Sequence, residues 1–186
     1  MDTTLLSLYL KTATQSLHDR VEEKMNAKKI FTPFYTVEDY KQLIWQNYLF
    51  FSHFEEAVFN SFSPPLRTAL QLPLRKKLPY LVADLEVLGL TASGTASYTD
   101  TCSEATAMGI LYVMEGSTLG GNVIKKRLTS LPAFTDIHFN FFGCYQENTG
   151  PFWTQFKEVL DTRFTTDQYE EVYRGAVKAY DYMAAH

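Results

Sequence analysis

Lys11, Thr14, His18 and Glu22 follow one another at steps of three, four and four residues. At the helical period this puts a cation, a hydroxyl, an imidazole and a carboxylate on one side of a helix. Such a set can do specific chemistry. Histidine is a common axial ligand of haem iron. A carboxylate one turn further on can orient its other ring nitrogen, and a lysine two turns back can meet an anionic ligand edge. The competing reading is ordinary: a helical histidine on a solvated or satisfied face.

A second segment carries a different signal. From Met108 to Lys126 the apolar positions 110, 111, 113, 114, 119, 123 and 124 follow a helical rhythm. Gly116, Gly120 and Gly121 interrupt it, and a glycine within a helix costs about 1 kcal/mol relative to alanine. Gly116 and Gly120 are four apart and share a face. With no Cβ there, another helix or a planar ligand can approach the backbone closely.

The elements that must position these residues can be read from the pattern. Leu6, Leu10, Ala13, Leu17 and Val21 form an amphipathic stripe, which predicts a helix over about 3–25. Pro33 marks a turn over 31–35. Thr36 with Asp39 predicts a capped start to a long helix reaching about residue 62, ended by Ser63-Pro64-Pro65. A short helix follows near 65–71, then one with Pro79 in its first turn that closes at Gly89. Residues 91–102 read as a polar loop. Ser103 caps the glycine-interrupted helix, which runs to about Leu128; 129–149 is a connection. The last helices span about 151–162 and 166–184, the latter with a Thr165/Gln168 capping box. No repeat and no alternating strand pattern is present. The expectation is an all-α, single-domain multihelical bundle over residues 1–186.

Composition narrows the function. With 46% apolar residues, 14 Phe, 12 Tyr and 2 Trp, the chain can fill a sizeable core and line a pocket with rings. A net charge of −4 disfavours nucleic acid as a partner. Cys102 and Cys144 show no zinc or redox spacing, which suits a reducing, cytoplasmic setting. No signal-peptide pattern opens the chain, and no apolar run reaches the length of a membrane span. Two basic runs, Arg75-Lys76-Lys77 and Lys125-Lys126-Arg127, read as solvated faces or as a docking rim for an acidic protein. His53 reads as an exposed polar position in the long helix.

Taken together, Leu10-Lys11-x-Ala13-Thr14-x-x-x-His18-x-x-x-Glu22 and Glu115-Gly116-Ser117-x-Leu119-Gly120-Gly121 resemble the haem oxygenase family. The segment Phe141-Phe142-Gly143 with Thr149-Gly150, Trp153 and Phe156 is similar to its short bacterial, biliverdin-producing branch. The resemblance covers roughly residues 3–183. It implies a helical fold in which haem is both cofactor and substrate, cleaved with dioxygen to biliverdin, carbon monoxide and ferrous iron. It further implies that His18 is the iron ligand, with Glu22 beside it. Gly116, Ser117 and Gly120 would form the distal catalytic wall, while Lys11, Thr14 and Tyr112 contact the haem and Lys157 is a further propionate candidate. No GxGxxG turn for a nicotinamide or flavin is present, so electrons must come from an external donor such as a ferredoxin or a reductase. A phytochrome is one candidate acceptor of the biliverdin. Without a C-terminal membrane anchor, no membrane partner is expected.

Two departures matter. The best-studied relatives carry an aspartate directly after the first distal glycine, where this chain has Ser117, a neutral hydroxyl. Phe51 falls where relatives place a polar tyrosine or histidine. A haem-binding or trafficking protein without turnover therefore stays open as an alternative. So does a non-haem hydrolase on the same fold, which would need a cysteine nucleophile in the pocket.

Overall fold

The computed structural model describes residues 4–93, 97–100 and 102–186. The predicted helix start at residue 3, and residues 94–96 and 101 of the predicted polar loop, lie outside the described residues. Among the described residues all regular structure is helical, with nine α-helices and short 3-10 turns.

The first predicted helix is two, α1 (Leu6–Ala13) and α2 (Gln15–Lys24). Thr14 is the joint. Its hydroxyl donates to the Leu10 carbonyl at 2.8 Å, and its own carbonyl accepts from both Leu17 N–H and His18 N–H. A threonine bonded back to its preceding turn tends to bend a helix. The start of α1 is held from a distance, because Ser7 N–H and Oγ donate to the Asp161 carboxylate at 2.7 and 2.8 Å.

The long helix α3 (Val37–Asn60) starts at the predicted Thr36/Asp39 capping box. Proline starts α4 (Pro64–Leu70) and sits in the first turn of α5 (Leu78–Val87), and Gly89, at φ +70°, follows α5 in the left-handed region. The Thr165/Gln168 box precedes the last helix, as predicted.

The glycine-interrupted helix is also two, α6 (Glu104–Gly116) and α7 (Gly121–Thr129). Between them the bonding tightens: Thr118 N–H reaches Glu115 O, Leu119 N–H reaches Gly116 O, and Gly121 N–H reaches Thr118 O. These are three-residue steps, so α-helical partners are lost. The hydroxyls of Ser117 and Thr118 compensate by donating to Met114 O at 2.8 Å and Glu115 O at 2.7 Å.

Ala107 to Glu115 are all buried, so α6 is the central helix. It packs on α9 (Tyr169–Ala185), with α8 (Thr149–Arg163) alongside. Gly109 and Gly175 make the approach possible: a Cβ on Gly109 would stand 1.9 Å from Val172 O, and one on Gly175 2.1 Å from Thr106 O. The Arg75–Lys77 run is not a solvated face. Arg75 and Lys77 are wholly buried and only Lys76 is exposed, because buried acceptors, chiefly the Glu115 carboxylate, receive both cations. No helix among the described residues is long and apolar enough to cross a membrane.

Candidate functional site

A cavity of about 690 Å³ opens between the α1–α2 pair and the α6–α7 break. That is the size of a small-molecule site. Lys11, Thr14, His18 and Glu22 border it from one side, and Tyr112, Gly116, Ser117 and Gly120 from the other. The two segments are thus brought to one space.

His18 sits in the first turn of α2, just past the Thr14 joint, with its side chain 48% exposed. Its Nε2 is 3.7 Å from Glu22 Oε1, and its Nδ1 is 3.7 Å from Asp19 Oδ1. Both are beyond hydrogen-bond length, so the ring is free to offer a nitrogen to the cavity. The edge of Tyr180 lies against it, at 6.4 Å between centroids.

Thr14 is almost fully buried, with the Tyr112 and Tyr180 phenols close by. Burial raises the Tyr112 phenol and pushes Tyr180 up to about 12, with the neighbouring Thr14 opposing. Both phenols therefore stay neutral donors at ordinary pH. Lys11 and Lys157 border the same cavity, and neither has an ion-pair partner among the described residues.

The opposite wall is bare backbone. A Cβ added at Gly116 would meet nothing within 4 Å, and one at Gly120 only Ile124 Cδ1 at 3.9 Å. These two glycines do not serve close packing of protein on protein. Gly109 and Gly121 do, the latter with a would-be Cβ 3.4 Å from Gly143 N. Ser117 spends its proton on Met114 O and offers the cavity lone pairs only. One imidazole, a bare wall facing it and two cations on the border suit a flat, metal-bearing ligand with acidic groups, which is the donor set that haem requires.

Phe51 does not border the cavity. It is wholly buried against Phe50 and Phe141, and α3 contributes Leu43 and Asn47 instead. Asn47 Nδ2 donates to Leu43 O at 2.8 Å, which leaves its amide oxygen as an acceptor. Asn47 precedes Phe51 by one turn, so the missed residue was one helical step from the expected one. Tyr180 was missed as well; its only signal was membership of the inner stripe of the last helix. Neither cysteine borders the cavity. Cys102 Sγ lies 3.0 Å from Ser61 Oγ, and burial pushes the Cys144 thiol up, the opposite of what a nucleophile needs. His53 is half-buried, stacked on Tyr182 at 4.3 Å, and is likewise outside the cavity.

The family described as "Heme oxygenase" matches residues 4–185. A protein described as heme oxygenase from Xanthomonas campestris pv. campestris (strain 8004) is 29% identical over 126 residues, which is 68% of this chain and 74% of that protein. Among solved structures, the NO- and CO-bound heme oxygenase from Neisseria meningitidis superposes with a TM-score of 0.74 at 21% identity. That match covers 98% of this chain and 90% of the other, and it shows the same fold.

Proposed function

The chain belongs to the haem oxygenase family, and from that premise we propose that its cavity binds haem, with His18 as the iron ligand and the Gly116–Gly120 segment as the distal wall. When bound, the haem supplies both the iron at which dioxygen is activated and the ring that is cleaved to biliverdin, carbon monoxide and ferrous iron. The observation that carries the reading is the pair of facing walls: an available imidazole on α2 and, across the cavity, two glycines with open space before them.

The chain's own residues have separable tasks. His18 holds the iron, and Glu22 orients the ring through its second nitrogen, by a water or a small rotation across the 3.7 Å gap. Lys11 and Lys157 pair with propionates and fix the ring's rotation. Tyr112 donates a hydrogen bond at the polar edge, where Thr14, its proton committed to Leu10 O, can only accept one. Gly116 and Gly120 admit the ring and dioxygen to van der Waals distance of the backbone. Ser117 accepts a hydrogen bond and holds a water in the distal space, while backbone carbonyls at the tightened turn supply further acceptors. Proton delivery therefore runs through ordered water rather than a carboxylate.

Electrons come from a separate protein, a ferredoxin or a reductase. Lys125 and Lys126, exposed on α7 next to the cavity-lining Ile124, offer an acidic donor a docking surface. The setting is cytoplasmic, and the biliverdin passes to an acceptor such as a phytochrome.

The test is a haem titration followed by a reducing system in air. The expected result is a Soret band that saturates at one haem per chain and then decays as the biliverdin absorption grows. A stable Soret band without biliverdin would leave only haem carriage. No Soret band would remove the site altogether.

A further inference from the structure

Behind the distal wall lies a charge cluster that does not border the cavity. The Glu115 carboxylate, 2% exposed, accepts from Arg75 Nη1, from Lys77 Nζ and from the Tyr145 hydroxyl at 2.9 Å. Arg75 donates further to Leu70 O at 2.6 Å and Phe152 O at 3.1 Å, and to Gln155 Oε1. The backbone N–H groups of Lys77 and Leu78 donate to Glu55 Oε2 at 2.7 and 3.1 Å. Burying this many charges is costly, and apolar packing would serve stability as well. What the cluster adds is a defined geometry at one place, since Glu115 is the residue immediately before Gly116.

The far end of the same segment is held too. Gly121 packs on Phe142 and Gly143, with a would-be Cβ 3.4 Å from Gly143 N and 3.6 Å from Phe142 Cα. That loop is pinned by the buried Asp84 carboxylate, which accepts from Asn140 N–H at 2.8 Å and Phe141 N–H at 2.9 Å. Tyr145, three residues past Phe142, closes the circuit back to Glu115. Residues 117–120 are thus fixed at both ends from the protein side, while Gly116 and Gly120 face open space on the cavity side.

We propose that Glu115, clamped by Arg75, Lys77 and Tyr145, is a positioning residue that sets the height of the 117–120 segment over the cavity, and thereby which edge of the bound porphyrin is oxidised. The second half rests on the haem oxygenase reading; the first does not. Tyr145→Phe removes one of the three donors with little change in volume, and Lys77→Met removes a charged one. Glu115→Gln is the harsher variant and leaves two cations underpaired.

The experiment compares amide hydrogen exchange in the haem-free proteins and the biliverdin isomers made by the haem-loaded ones. In Tyr145→Phe the amides of residues 118–121 should exchange about tenfold faster than in wild type while those of 110–113 in α6 keep their protection. The isomer ratio should shift, by more in Lys77→Met. Equal acceleration of both amide groups would mean a global loss of stability, and unchanged exchange at 118–121 would mean no clamp; either overturns the proposal. An isomer ratio identical to wild type in both variants overturns its second half. Should the wild type make no biliverdin, the functional reading falls, and the exchange comparison still decides whether Glu115 positions the segment. If Glu115→Gln or Lys77→Met fails to fold, Tyr145→Phe carries the comparison.

Discussion

Gly109 and Gly116 lie on the same helix and have opposite reasons to be glycine. At Gly116 a methyl has open space before it, and alanine gains about 1 kcal/mol of helix propensity. Gly116→Ala should therefore leave the haem-free protein equally or slightly more stable by thermal melt, while haem affinity or turnover falls. Gly120→Ala, at the N-cap of α7 and outside both helices, gains no such propensity, but haem affinity or turnover should fall there too. At Gly109 the methyl would strike the Val172 carbonyl, a backbone atom that cannot turn aside. Gly109→Ala should lose about 3 kcal/mol in denaturant unfolding. A stabilised Gly109→Ala, or a badly destabilised Gly116→Ala, would reverse the assignment. Lys11, exposed and without an ion pair among the described residues, should orient more than it binds. Lys11→Ala should keep haem affinity within roughly tenfold; a greater loss in the titration would make it structural. The candidate site was legible at this scale because its residues repeat at helical spacing: all nine proposed from the sequence, Lys157 included, border one cavity. Asn47 and Tyr180 were not, since each comes alone from a distant helix and only packing brings it to the wall.

The joints between elements decide where those residues point. Thr14 ends α1 and starts α2, so Lys11 and His18 lie on two rods rather than one. Asp161 on α8 fixes the first rod by taking both Ser7 donors. Asp161→Ala should cost about 1–2 kcal/mol, the loss of a cap and of charge-assisted hydrogen bonds. Haem affinity should fall with it, through Lys11 and the joint rather than through any contact of Asp161 itself. A stability loss with unchanged affinity would detach α1 from the site. Caps and prolines made most helix boundaries readable: Thr36, Pro79, Ser103 and Thr165 stand where the sequence placed them, while Pro64, read as ending the long helix, starts α4 instead. The two breaks within predicted helices were less legible. A threonine bonds back to a carbonyl in many unbroken helices, and glycines announce weakness without saying where the turn tightens. The buried Arg75–Lys77 pair was misread for a related reason. Charge predicts exposure unless a partner is known, and Glu115 lies about forty residues away in the chain.

Across the whole molecule the tyrosines set a limit at high pH. Burial raises the phenols of Tyr35, Tyr40, Tyr112 and Tyr145, and pushes Tyr180 up to about 12. The unfolded chain ionises its tyrosines near 10. Above that pH the unfolded state binds fewer protons than the native one, so stability falls as pH rises through this window. Melting temperature should drop steeply above about pH 9.5. Tyr180→Phe should make the decline between about 10 and 12 shallower. An unchanged slope would mean that Tyr180 ionises in the folded protein as it does in the unfolded one.

The central claim is that His18 holds the iron, and axial ligation read by resonance Raman on the ferrous haem complex tests it most directly. Wild type should show an iron–imidazole stretch that His18→Ala loses and that added imidazole restores, with biliverdin formation lost and regained in parallel. A His18→Ala protein whose spectrum and turnover match wild type would contradict it, and the facing-wall reading of the cavity would go with it.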